Sequence, residues 1–217
     1  TIYYPNKIKQ IIGRLNTQNL SEKEEREAVE TITELIEYYK GIFTILSSCA
    51  ARQLEEVTFR RTTIPVQELF DAAGKYFRKV MKNRMEKIEL IMEPMEAKVI
   101  GDVNQLRFLF ENLIDEALAV HEEGVIRLQA RKDNEYVRFL FTDTRREKSV
   151  TELNQLFYPN LARMTSGEKG ELRGTEYLIC KQIIRDHDEF AGRRGCRINA
   201  EPAEGGGFTV YFTIPRR

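Results

Sequence analysis

Between Pro5 and Pro65 the chain contains no proline and only two glycines, Gly13 and Gly41. Proline removes a backbone donor and clashes with the preceding turn, so its absence over this stretch predicts long helices. Ile8, Ile11, Ile12 and Leu15 follow the i, i+3, i+4, i+7 spacing of one helical face, and the polar run Asn16-Thr17-Gln18-Asn19 ends it. Ser21 and Glu24 form a capping-box pair that opens a second helix. Its apolar positions, Ala28, Ile32, Leu35, Tyr39, Ile42, Leu46 and Cys49, alternate by four and three, the seam of a coiled coil or helical bundle. Two helices with one seam do not close a core. A second copy of the chain would cover it as a four-helix bundle dimer; the alternative is packing against the chain's own second half.

Charge narrows the partners. The 217 residues carry 34 Lys+Arg and 34 Asp+Glu, a formal net charge of zero, which removes the electrostatic basis for sequence-independent nucleic-acid binding. No stretch approaches the roughly 20 apolar residues of a membrane span, and TIYYPNKIKQ has no signal-peptide core. Cys49, Cys180 and Cys196 are odd in number and widely spaced, which points to neither zinc nor a disulfide framework and fits a reducing cytosol. A chain opening on Thr1 is expected to be a fragment of something longer.

From Arg60 the texture changes. Pro65 opens a third helix with Val66, Leu69, Phe70, Ala73, Phe77 and Val80 on one face, and Ile88, Leu90 and Met92 alternate as in a strand. Another helix follows around Leu106, Leu109, Phe110, Leu113 and Ala117. The alternating runs 126–130 and 137–141 predict a hairpin turning through 132–135. Residues 148–173 are polar, with Pro159, Gly167 and Gly170, and read as a long mobile loop holding one helical turn. A helix over 176–187 and strands near Arg197 and over 208–214 complete an α+β sandwich, one mixed sheet covered by helices on one face.

Five regions of this second half, the first of them in three pieces, resemble in order the ATP-binding domain of bacterial sensor histidine kinases, the fold shared with gyrase, Hsp90 and MutL. Gly101-Asp102, Gln105-Leu106-Arg107 and the run from Glu111 to Leu118 are similar to the GD, LxQ and NLLxNA elements. Phe141-Thr142-Asp143-Thr144 is similar to the start of the first glycine box, and Leu156-Phe157-Tyr158-Pro159 to the phenylalanine box. Gly174-Thr175-Glu176-Tyr177 stands where GLGL would fall, and Glu201-Pro202 through Phe212 resembles the closing SxPGxGTxFxF segment.

The resemblance implies a helical dimerisation hairpin over 1–59, forming a four-helix bundle in the dimer, followed over 60–217 by a two-layer α/β sandwich of the histidine kinase/Hsp90 type. Pro5 matches the proline of the family's H-E-x-x-x-P motif, which puts the acceptor histidine upstream of Thr1. No catalytic residue is then expected within the chain itself, and His121 and His187 are read as structural or exposed. The family's ATP and Mg²⁺ would be held by Asn112, Glu116, Asp143, Thr144, Lys169, Arg173 and Gly174, with Asn112 and Glu116 as the metal ligands. Implied partners are a second copy of the chain and the receiver domain of a response regulator, in the cytoplasm, with any membrane anchor outside these residues.

The departures from the family pattern lie in the site itself. Glu116 replaces the second N-box asparagine, Ala119 the following lysine, Arg145 and Glu147 the glycines of DxGxG, and Glu176 the second glycine of GLGL. A side chain at such a glycine obstructs close approach to a ligand. A carboxylate ~4 Å from a phosphate charge costs up to ~4 kcal/mol at an effective dielectric of ~20, against ~8 kcal/mol for micromolar binding. Glu116 is, on the other side, a better hard-cation ligand than asparagine. Two functions therefore stand open: ATP-dependent histidine autophosphorylation with transfer to a response regulator, or a catalytically inactive pseudokinase acting as a dimeric signalling module.

Overall fold

The computed structural model describes residues 3–17, 20–33, 35–36, 59–158, 165–166, 172–173 and 175–217. They divide into two compact units, Thr1–Val57 with Pro159–Thr175, and Thr58–Tyr158 with Glu176–Arg217.

In the first unit, helix α1 spans Tyr3–Thr17 and helix α2 runs over residues 22–33. The capping box forms as expected: the Ser21 amide donates to Glu24 Oε2 at 2.9 Å, and the Glu24 amide donates to Ser21 Oγ at 3.4 Å. Ile8, Ile11, Leu15, Ala28, Ile32 and Leu35 are all half-buried rather than enclosed. Residues of both helices, among them Ile11 and Ala28, together with Leu20 from the connection line a cleft of about 420 Å³. The remaining seam positions, Tyr39, Ile42, Leu46 and Cys49, lie outside the described residues. Two further strands, β6 (Thr165–Ser166) and β7 (Leu172–Arg173), form a short antiparallel ladder.

The second unit is an α+β sandwich. Its strands and helices run β1 (Thr62–Pro65), α3 (Val66–Met81), β2 (Ile88–Glu93), β3 (Lys98–Gly101), α4 (Val103–Leu118), β4 (Gly124–Asp133), β5 (Tyr136–Asp143), α5 (Val150–Gln155), α6 (Glu176–Phe190), β8 (Ile198–Pro202) and β9 (Phe208–Pro215). Five strands form one mixed sheet in the order β2-β4-β5-β9-β8, with β2 parallel to β4 and the other pairs antiparallel. The predicted hairpin is β4–β5, in register from Ile126↔Asp143 to Asp133↔Tyr136, and Asn134 in its turn takes φ 52. Asparagine tolerates the left-handed region better than most residues.

Strand periodicity determines the core. In β5 every second residue is buried, which puts Val137, Phe139, Phe141 and Asp143 on the helix-covered face. Phe139 stacks on Phe212 of β9 at 5.0 Å, meets Phe110 from α4 edge-on at 5.7 Å and lies tilted to Phe70 from α3 at 6.3 Å. These rings join both layers through burial that is dispersive as well as hydrophobic. Beside the sheet, β1 pairs antiparallel with β3, Thr62 opposite Gly101. That pairing has no counterpart in the periodicity, because each strand has four residues and β1 buries only Ile64.

Candidate functional site

Helix α4 begins on Asp102. Its carboxylate accepts from the Asn104 and Gln105 amides at 3.0 and 3.1 Å, satisfying two donors that a helix start leaves open. The other oxygen accepts from the Arg60 amide at 2.8 Å, and the Asp102 amide donates to Nε2 of His187 at 3.1 Å. His187 is wholly buried near the end of α6. Its Nδ1 donates to the Ile183 carbonyl at 2.8 Å, and the Phe59 ring packs edge-on at 4.9 Å. An acceptor at Nε2 and a donor at Nδ1 require the neutral imidazole. Burial holds its pKa below the usual value, although the Ile183 carbonyl and Asp102 pull the other way. His187 is a structural bolt, as read from the sequence. His121 is exposed and hydrogen-bonds Glu86.

Further along α4, Asn112 is buried and its amide donates to the Phe108 carbonyl at 2.7 Å, one turn back. Glu116 follows one turn later, half-buried. Glu116 and Glu176, the first residue of α6, both act on Cys180, whose thiol is pushed up first by burial and then by these two negative charges. Glu176 also raises the Asp115 carboxyl, after burial as the main cause. One Glu176 carboxylate oxygen is buried and finds no hydrogen-bond partner among the described residues. The glutamates that replace an N-box asparagine and a lid glycine thus gather at the facing parts of α4 and α6. Among the described residues, no group of three or more His, Cys, Asp or Glu side chains is placed to hold a metal ion.

Asp143 ends β5 on the core side and is 1% exposed. Four donors meet its carboxylate. The Arg145 amide and Nε reach Oδ1 at 3.0 and 2.8 Å, while Arg145 Nη2 and Arg146 Nε reach Oδ2 at 2.9 and 3.1 Å. A carboxylate offers about four lone-pair directions, and here all are taken. Burial by itself would raise the Asp143 carboxyl, yet the hydrogen bonds and charges of the two arginines outweigh it and hold the pKa below the ordinary range.

Arg145 reaches beyond Asp143. Its Nη2 also donates to the Ala117 carbonyl at 2.6 Å and its Nη1 to the Glu122 carbonyl at 2.9 Å, so the side chain joins the last turn of α4, the loop after it and the end of β5. A cation at a helix C-terminus is favourable for the carbonyl dipoles collected there. Thr144 is exposed, and its hydroxyl donates to the Val125 carbonyl at 2.7 Å, pinning β5 to β4. Gly207 takes φ +82 in the turn before β9; a Cβ there would stand 2.1 Å from the Asp143 carbonyl oxygen. Only glycine fits that conformation and approach.

Of the residues expected in the site, Asn112, Glu116, Asp143 and Thr144 are placed in the second unit. Lys169 and Gly174 lie outside the described residues, and Arg173 is described only as a backbone position in β7. The part of Arg145 as partner of Asp143 is absent from a reading that treats the position as a lost glycine. Its signal is the Asp-x-Arg-Arg spacing at a strand end. An adenine amino group, which the resemblance would have Asp143 read, would need a free acceptor there, and the carboxylate with its four donors offers none, so the residues as they stand do not fit the base of a nucleotide.

Comparison with known proteins identifies the family to which the fold belongs. No curated protein sequence matches the chain. Among solved structures, the catalytic domain of the histidine kinase ThkA is 20% identical with a TM-score of 0.56, over 72% of this chain and 96% of that one. The histidine kinase AdeS of Acinetobacter baumannii is 12% identical with a TM-score of 0.55, over 98% and 94%. ThkA in complex with the response regulator protein TrrA is 19% identical with a TM-score of 0.59, over 99% of this chain and 58% of that one. At these identities the likeness is one of fold. The profile of the histidine kinase-, DNA gyrase B-, and HSP90-like ATPases matches residues 101–217, just over half of the chain, from the glycine before the α4 cap to the last residue. The chain belongs to this family, and its neighbours in fold are the catalytic domains of sensor histidine kinases.

Proposed function

We propose that this chain is the output core of a two-component sensor of the histidine kinase type, in which the ATPase-fold domain works as a pseudokinase, a signalling module rather than a phosphoryl donor. Its N-terminal part, residues 1–59, dimerises along the α2 seam and meets the receiver domain of a response regulator. The domain from Arg60 onward passes conformational change between sensor and partner. The ThkA complex with TrrA supports the choice of partner class, and the half-buried seam residues of α1 and α2 support the dimer.

The observation that carries the pseudokinase reading is the filled carboxylate of Asp143. A nucleotide that had to displace Arg145 would strip the buried carboxylate of its bidentate partner and leave it Arg146 alone, which costs up to about 3–5 kcal/mol. Micromolar binding represents only about 8 kcal/mol, so roughly millimolar affinity would remain. Glu116 and Glu176 lower it further at the end where phosphates would lie.

The kinase reading rests on family membership and on Asn112, which keeps the first N-box asparagine. Calorimetric titration of the chain with Mg-ATP separates the two. Heats that stay unsaturated to millimolar nucleotide are expected. Micromolar binding that Asp143→Ala abolishes would overturn the pseudokinase reading and make autophosphorylation at an upstream histidine the function.

A further inference from the structure

We propose that Arg145 is a built-in occupant of the base-reading position, its guanidinium standing where the planar, N–H-bearing edge of a purine would meet Asp143. Removing it opens that position to an uncharged adenine nucleoside. The inference rests on the pseudokinase reading above and adds to it the residue that closes the site and the ligand class that would replace it.

The surroundings are shaped to this side chain. Gly124 takes φ +137, and a Cβ on it would stand 2.8 Å from Arg145 Cγ, so the strand start leaves room for the arginine stem. The guanidinium is 1% exposed, like the carboxylate it faces. Its three nitrogens all donate, through four hydrogen bonds: to Asp143 on the inner edge and to the Ala117 and Glu122 carbonyls on the outer. A surface arginine drawn to a nearby carboxylate keeps its outer nitrogens in water; this one has no such face. Arg146 completes the closure, with its guanidinium 5.8 Å above the Phe208 ring and its Nε on the same carboxylate.

Adenine and guanidinium share the property that matters at Asp143. Both are flat and present N–H donors along one edge, and a carboxylate pairs with either in its plane. What they do not share is charge. A nucleoside replacing Arg145 takes from Asp143 the nearer of its two cations and leaves Arg146 in place, and it brings no phosphate toward Glu116 and Glu176. Adenosine rather than ATP is therefore the probe that reports on Arg145 alone.

The test uses the whole chain with Arg145→Gly beside wild type, titrated with adenosine and, as a control lacking the amino group, inosine. Wild type should give no saturable heat with either. The variant should melt at a lower temperature, bind adenosine at least tenfold more tightly than inosine, and regain part of its lost melting temperature with adenosine. A variant with the wild-type circular dichroism spectrum that binds neither nucleoside, or both equally, overturns the inference. Should Arg145→Gly not fold, Arg145→Lys decides: a lysine keeps the charge but not the fork, so a lower melting temperature is expected, and an unchanged one overturns the claim that the fork fills the position. Binding of Mg-ATP by wild type would sink the pseudokinase reading, whereas silence of wild type toward ATP and of a folded Arg145→Gly toward adenosine would sink only this inference.

Discussion

Arg145 grips Asp143 through two parallel bonds, Nε to Oδ1 at 2.8 Å and Nη2 to Oδ2 at 2.9 Å, and both side chains are 1% exposed. Two residues apart in sequence, they close a buried contact at the end of β5. The pair also ties α4 to the sheet through the Ala117 carbonyl. Its energetics follow from what remains when one member is removed.

Asp143→Ala leaves a guanidinium buried without its counter-ion and should lower unfolding free energy by about 3–5 kcal/mol, measured by urea denaturation at neutral pH. The folded pKa of Asp143 is depressed. The stability it contributes is therefore fully present above the unfolded value of about 3.9 and is lost as pH falls through the folded value. Wild type should lose stability faster than the variant below about pH 4.

His187 acts in a different pH range. Its folded pKa is lowered, chiefly by burial, so below about pH 6.5 the unfolded chain takes up a proton that the folded chain refuses. Stability should fall as pH drops from there, by up to about 1.4 kcal/mol per unit, until the folded pKa is reached. His187→Leu should remove this slope between pH 7.5 and 5.5. It should cost about 1–3 kcal/mol at neutral pH, because the Asp102 amide loses its acceptor. An unchanged slope would mean that His187 is not neutral in the fold.

Gly205 and Gly207 provide an internal comparison, since both take positive φ, +88 and +82, in the same turn. A Cβ at Gly205 meets nothing within 4 Å, whereas one at Gly207 stands 2.1 Å from the Asp143 carbonyl oxygen. Gly205→Ala should cost only the backbone strain of about 1–2 kcal/mol. Gly207→Ala should cost clearly more and disturb the Asp143–Arg145 contact. Equal melting temperatures for the two variants would refute the packing argument.

Restoring the lid and loop glycines should not by itself restore nucleotide binding. Glu147→Gly with Glu176→Gly removes charge near the presumed phosphates but leaves Asp143 occupied, so Mg-ATP affinity should rise only when Arg145→Gly is added. Calorimetry on the double and triple variants tests the order of the two obstacles. Tight binding by the double variant would make charge, not occupancy, the deciding factor.

Much of this was legible beforehand, for physical reasons. The stripe Val66, Leu69, Phe70, Ala73, Phe77 gives α3 because it repeats at the helical period, and Asp143 falls at a strand end because alternation through Val137, Phe139 and Phe141 carries one residue further on the same face. The β1–β3 pair was not legible, since four residues hold too few alternations to register. Nor was the use made of Arg145. From the chain alone it is a lost glycine and a steric obstacle; that its fork turns back onto a carboxylate two residues earlier depends on Gly124 leaving room, a relation between positions 21 residues apart.

The double duty of Asp102 carries a mechanical implication. Its carboxylate caps the helix that bears Asn112 and at the same time holds the amide of Arg60, 42 residues earlier. A pull or twist on the backbone at Phe59–Arg60 is therefore borne by the opening turn of α4 and, through the Phe59 ring on His187, by α6. The tether and the helix start share one pair of oxygens, so slack in the one is fraying in the other.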